Sequence, residues 1–296
     1  MSRAAQLTIL GLGLIGGSMG LALRQAKLGY TVVGHDLRHE AARQARKLGA
    51  IDRSEWNLPA AVETADIVVV ATPPLAVEQV FRDIAPHLKP GCVVTDTAST
   101  KAKILAWADE ILPPTVSYVG GHPMAGKETS GVSAAEPSLF VGTTYCIVPS
   151  ARADQRAVER VVSMVTAIGA RPFFVDAVEH DSYVAAISHL PFLLSTALVN
   201  VASRSPSWRD LGRLAAGGFR DVSRLASGDP AMHRDICLTN QQSILRWLDA
   251  LVAELEEVAR QIREGSDELE TTFRSAKGTR DAWVALREWT ARGSAS

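Results

Sequence analysis

The sequence predicts an α/β fold: a doubly wound parallel sheet in residues 1–175, followed by an all-helical domain in residues 176–296. Three observations carry this. From Leu7 to about Val175, short β-branched runs alternate with longer stretches of helical periodicity, the pattern of βαβ units whose sheet is covered on both faces. One run, Asp66-Ile-Val-Val-Val-Ala71, is almost wholly apolar, as a strand buried on both sides must be. After Val175 the alternation stops, and Ala, Leu, Arg and Glu at helical spacing take over to about Arg292. A chain of 296 residues is long enough for two domains.

In chain order, strands are expected at Leu7–Leu10, Tyr30–Gly34, Asp66–Ala71, Cys92–Asp96, Val116–Val119, Thr144–Val148 and Pro172–Val175. Helices are expected between them at Leu14–Leu28, His39–Leu48, Leu75–Leu88 and Lys101–Ile111. Between Arg3 and Arg24 twenty residues carry no charge, long enough in principle to span a membrane. Five of them are glycines crowded between Gly11 and Gly20, and each weakens a helix relative to alanine. Strand, glycine turn and helix is therefore the reading, with no membrane partner and no signal peptide. In the second half Val199, Leu211, Ile236, Leu245, Leu248 and Leu251 fit apolar helix faces. Pro191, lacking an N–H, predicts a kink there.

Composition narrows the function. Apolar residues make up 47% and charged residues 21%, which excludes a disordered or collagen-like chain. Lys and Arg (31) nearly balance Asp and Glu (32), so the basic stripe of a nucleic-acid binder is missing. Cys92, Cys146 and Cys237 are odd in number and form no C-x-x-C. That pattern fits neither a disulfide framework nor a zinc site, and suits a cytoplasmic protein. No H-E-x-x-H occurs, and His35 and His39 sit where a strand ends, so no metal is expected.

Gly11-Leu-Gly13-Leu14-Ile15-Gly16 follows the first strand and opens a helix. The first glycine permits the tight turn, the second lets backbone approach a pyrophosphate, and the third allows close helix–strand packing. The helix N-terminus adds free N–H groups and the positive dipole end. Asp36 ends the second strand twenty-five positions after Gly11, where it accepts from both ribose hydroxyls and repels a 2′-phosphate. A Rossmann-like domain binding NAD rather than NADP is the expectation, with Arg38 close enough to soften the preference. Thr72-Pro73 and Thr97, with Ser99 beyond it, follow the next strands on their carboxyl side, where open α/β sheets place ligands. Ser99 has a second reading as N-cap of the following helix.

Gly121 to Glu128 nearly matches a P-loop, but Glu128 stands where Mg²⁺ coordination needs Ser or Thr, and Pro123 removes an N–H. A nucleoside triphosphatase is rejected. His122, among glycines at the carboxyl edge of the sheet, suits a general base instead. In the helical half, Ser188-His189-Leu190-Pro191 puts a polar pair before the kink. Further on, Arg220 and Arg224 offer the planar fork that grips carboxylates; exposed ion pairs are the equal alternative.

Taken together, Gly-Leu-Gly-Leu-Ile-Gly-Gly-Ser, Gly121-His122-Pro123-Met124-Ala125-Gly126, Ser188-His189-Leu190-Pro191 and Gly218-Phe219-Arg220-Asp221 resemble, in order, the motifs of prephenate/arogenate dehydrogenases. The resemblance covers nearly the whole chain. It implies a helical domain that also dimerises, His122 as catalytic histidine, and Ser99 as its partner. It also implies Arg224 as the holder of the substrate's ring carboxylate, Asp221 nearby, His189 on the substrate side, and Lys127 and Glu128 beside it. Three positions depart from the family pattern: Phe192 replaces a histidine, His233 a tryptophan, and Lys127 a threonine. All lie on or near the substrate side, so prephenate and arogenate both stand as substrates. Another dehydrogenase of similar plan, for a small β-hydroxy acid, is disfavoured by the motif around His122 and by the lack of a suitable helix-borne lysine. A redox-sensing NAD-binding protein without turnover leaves His122, Ser99 and Arg224 together unexplained.

Overall fold

The computed structural model describes residues 4–127 and 129–293, with side chains through residue 286. Its first part alternates as expected: β1 (Gln6–Leu10), α1 (Leu14–Ala26), β2 (Thr31–His35), α2 (His39–Lys47), β3 (Arg53–Ser54), α3 (Leu58–Val62), β4 (Ile67–Val70), α4 (Ala76–Ile84), β5 (Val93–Asp96) and α5 (Ala102–Ile111). There follow β6 (Ser117–Pro123), β7 (Thr144–Pro149), α6 (Gln155–Ala167) and β8 (Arg171–Phe174). The eight strands form one sheet in the order β3-β2-β1-β4-β5-β6-β7-β8.

The sheet is parallel except between β6 and β7, a departure from the all-parallel expectation. A parallel return needs a crossover, usually a helix. Among its described residues the 124–143 connection holds only the 3₁₀ turn Val132–Ala134, so β7 comes back beside β6 in the opposite direction. Helix α6 then restores a parallel β7–β8 pair. The short β3, α3 and α6 were absent from the sequence-based expectation.

Successive strand residues face opposite layers. Ile67 and Val69 pack with Leu7, Ile9 and Met19 of α1 and with Val161 and Met164 of α6. Val68 and Val70 pack with Phe81 of α4 and with Ile104 and Trp107 of α5. Burying both faces explains the unbroken Ile-Val-Val-Val run of β4.

The second half is helical: α7 (Ala177–Val184), a π-type turn at Ala185–His189, α8 (Leu190–Ser203), α9 (Trp208–Leu214), α10 (Gly217–Ser223), a 3₁₀ turn at Arg224–Ser227, α11 (Pro230–Thr239), α12 (Gln241–Glu264) and α13 (Glu268–Gly293). The wider turn immediately precedes Pro191, and a π turn is one way a helix accommodates the bond that proline cannot make. The 27-residue run Ala177–Ser203 is long and apolar enough, by length and composition, to cross a membrane.

Compact packing divides the chain at Ile244/Leu245. The first unit thus joins the sheet to the helices through α11. In the second unit α12 ends at Gly265, whose φ of +62° closes the helix, with the Ser266 N–H bonded to the Gln261 carbonyl at 3.0 Å. Thr272 of α13 then donates to the Gln261 side chain at 3.1 Å.

Candidate active site

The glycine turn has the geometry its motif demands. Gly11 has φ +94°, and a Cβ there would lie 2.5 Å from the Ala71 carbonyl oxygen; one at Gly16 would lie 2.0 Å from the Gly11 carbonyl oxygen. Only glycine fits either place. Gly13, the N-cap of α1, has open space where a Cβ would stand, and no side chain caps the helix. Leu14 and Ile15 begin α1, so their amides are among the helix's unclaimed donors. The Asp36 carboxylate is fixed at the end of β2 by the N–H groups of Leu12 and Arg38, each at 2.8 Å. Its remaining lone pairs are left for hydroxyl donors. The Arg38 guanidinium is 3.6 Å from the same carboxylate and mostly exposed. Thr72 Oγ1 is buried beside this turn without a hydrogen-bond partner. Pro73 is exposed, and Thr97 and Ser99 are partly exposed.

His122 lies near the end of β6, opposite Cys146 of β7. Gly121 lets this strand approach its neighbour, since a Cβ there would meet the Asp96 carbonyl oxygen at 2.5 Å. His122 Nδ1 is 2.9 Å from Nε2 of His180, and His180 Nδ1 is 2.8 Å from Asp181 Oδ1. His180 and Asp181 of α7 are buried, whereas His122 keeps an open edge. Desolvation of the ring, reinforced by His180, Lys101 and His189, holds the His122 pKa well below the usual histidine value. Beneath it the buried Asp96 carboxylate pairs with the Lys101 ammonium and accepts from the Tyr118 hydroxyl.

The start of α5 corrects the capping alternative for Ser99. No side chain of its own segment caps the helix; the Lys101 and Ala102 N–H groups donate to Asp181, at 2.7 and 2.9 Å. Asn240, at the α11–α12 junction, donates to the Asp181 carbonyl at 2.6 Å and to His189 Nδ1 at 3.3 Å. His189 is buried, and burial lowers its pKa to about 4. Its ring is 5.9 Å from Phe192, which stacks on His233 at 4.1 Å.

The other expected substrate residues are more dispersed. Arg224 opens the exposed 3₁₀ turn after α10. Asp221 forms an ion pair with Arg220, at 3.1 Å. Lys127 pairs with Glu136 at 2.7 Å, and Glu128 lies outside the described residues. His180, Asp181 and Asn240 had not been singled out from the sequence.

The family models now bear directly on this arrangement. Residues 19–173 match the model described as prephenate dehydrogenase, nucleotide-binding domain, and residues 176–275 that described as prephenate dehydrogenase, dimerization domain. The chain belongs to the prephenate dehydrogenase family. A curated prephenate dehydrogenase of Bacillus subtilis is 37% identical, aligned over 94% of this chain and 76% of its own length. A prephenate dehydrogenase from A. aeolicus, solved with hydroxyphenyl propionate and NAD+, superposes with TM-score 0.88 at 28% identity, covering 95% of this chain and 99% of that one. Synechocystis arogenate dehydrogenase gives TM-score 0.80 at 29% identity, covering 94% and 99%.

Proposed function

We propose that this family member carries out the NAD-dependent oxidative decarboxylation of prephenate to 4-hydroxyphenylpyruvate. The observation that carries the reading is His122: a desolvated imidazole at the carboxyl edge of the sheet, the same edge that carries a glycine turn built for a dinucleotide. A base must be neutral to act, and its lowered pKa keeps it so at neutral pH.

The residues fit NAD. Gly11 and Gly16 permit the turn, Gly13 leaves room for the pyrophosphate, Asp36 takes the ribose hydroxyls, and the unpartnered Thr72 hydroxyl adds a polar group. Bound NAD supplies the hydride acceptor. His122 takes the proton of the ring hydroxyl as hydride leaves that carbon, and Ser99 orients the hydroxyl. The electrons of the bond to the ring carboxylate then aromatise the ring as CO₂ departs, and the proton returns from His122 to the phenolic oxygen. Arg224 holds the ring carboxylate.

Arogenate, giving tyrosine, is the second reading, as is dual specificity. Lys127, Phe192 and His233 replace the family's usual residues on the substrate side, and the likeness to an arogenate dehydrogenase supports keeping both substrates. The assembly we infer is a cytoplasmic homodimer formed through residues after about 176, where the second family model begins. Ile187, Val201 and Leu214 are exposed apolar side chains of that half; three free cysteines suit a reducing compartment.

The test is turnover of prephenate and of arogenate, each with NAD and NADP. NAD is expected to give the higher kcat/KM, and Asp36→Ala to narrow the difference. A clear NADP preference points to Arg38 as the dominant contact; turnover of neither substrate rejects the reading.

A further inference from the structure

When both rings are neutral, the three-residue chain His122–His180–Asp181 fixes where each hydrogen sits. A carboxylate only accepts, so His180 Nδ1, 2.8 Å from Asp181 Oδ1, carries the hydrogen. Neutral His180 then has its lone pair on Nε2, and that nitrogen must accept. His122 Nδ1, 2.9 Å away, is therefore the donor. The lone pair of His122 is left on Nε2, the nitrogen that His180 does not occupy.

We infer that His180, anchored by Asp181, is a positioning residue that holds His122 in the Nδ1–H tautomer and so makes Nε2 the proton-accepting atom. This rests on the assignment of His122 as base. When the substrate O–H bond breaks, its proton goes to Nε2 and the His122 ring becomes cationic. The Nδ1–H already points at the His180 lone pair, and the second ring passes the influence of the carboxylate back to the first. After the ring aromatises, the Nε2 proton returns to the phenolic oxygen, and the neutral tautomer is restored without a net proton change.

The anchor is stiff. Asp181 accepts from two main-chain N–H groups through its two oxygens, and its own carbonyl is held by Asn240. A fork held at both oxygens cannot rotate to offer His180 a different partner. The other titratable groups facing His122 are Lys101, itself paired with Asp96, His189, and Cys146 on the adjoining strand. Lys101 disfavours a cationic His122; Asp181 is the countercharge that acts through His180.

Nitrogen-15 NMR of the histidine-labelled protein reads the tautomer directly. His122 is expected to show a protonated Nδ1 and an unprotonated Nε2 at pH 8, and the Nε2–H tautomer would overturn the inference whatever the activity. In steady-state assays His180→Phe should lower kcat by about 10²-fold or more, since misorienting a catalytic histidine is severe. KM and NAD affinity should stay within a few-fold. His180→Gln, whose carbonyl accepts from His122 while its amide donates to Asp181, should restore part of the loss. A folded His180→Phe protein with unchanged kcat would also overturn the inference. Failure of the parent protein to turn over either substrate would reject the functional reading yet leave the tautomer result to stand or fall by itself.

Discussion

At the scale of single residues, the most direct expectation concerns His122. His122→Asn should reduce kcat by roughly 10²–10⁴-fold, the usual contribution of a general base. NAD affinity should barely change, because the proposed dinucleotide contacts are those of the glycine turn and Asp36. Survival of activity within a few-fold would reassign the base. The pH profile follows from the depressed pKa: kcat/KM should be level through neutrality and fall only below the ordinary histidine range, as one proton inactivates the base. Arg224→Ala should raise KM for substrate by ~10-fold or more, the equivalent of about 1.4 kcal/mol from a lost charge-assisted contact. Arg220 forms an exposed pair with Asp221 and is not the arginine assigned to the carboxylate, so Arg220→Ala should leave KM almost unchanged; the reverse pattern would move the clamp to Arg220. What was legible at this scale was local. Gly11, Gly13 and Gly16 announce themselves because a turn is made by neighbours in sequence. His180 lies 58 positions from His122, and nothing near it marks its partner.

At the scale of elements, the glycine turn offers a paired experiment. Gly16→Ala would drive a methyl to 2.0 Å from the Gly11 carbonyl oxygen, so α1 must back away from β1, whereas Gly13→Ala meets no protein atom within 4 Å. Gly16→Ala should therefore lower both Tm and NAD affinity, while Gly13→Ala should keep Tm and lose affinity alone; equal melting losses would contradict the packing described. Periodicity located the strands well because β1, β4 and β5 are buried on both sides. Helix α6 was missed although its signals are present: Asp154 caps it by accepting from Arg156 N at 3.0 Å, and Ala157, Val161, Met164 and Val165 bury one face. The reversed direction of β7 was not legible, since strand direction depends on what a connection can bury and not on the strand's own composition.

At the scale of the whole molecule, His189 links stability to pH. Its folded pKa of about 4 lies below the ordinary 6.5, so the unfolded chain binds the extra proton first as pH falls. The stabilisation is complete above about 6.5 and is lost progressively toward 4, amounting to about 3 kcal/mol; His122, shifted the same way, adds to it. Urea midpoints measured across that window should fall steadily, and His189→Gln should flatten the slope. Light scattering should give twice the monomer mass, and a monomer with full activity at every concentration would count against the proposed assembly.

Most helices are finished at their starting end by a residue next door in sequence. Here the opening amides of α5 are held by Asp181, 80 positions further along. The first turn of α5 is consequently complete only once α7 has docked, which ties the two segments into one cooperative unit. Hydrogen–deuterium exchange at Lys101 and Ala102, positions that in an ordinary helix fray within moments, should be as slow as in the core strands. Losing Asp181 should speed exchange at both amides together, making this short stretch of backbone a clock for the arrival of the helical half.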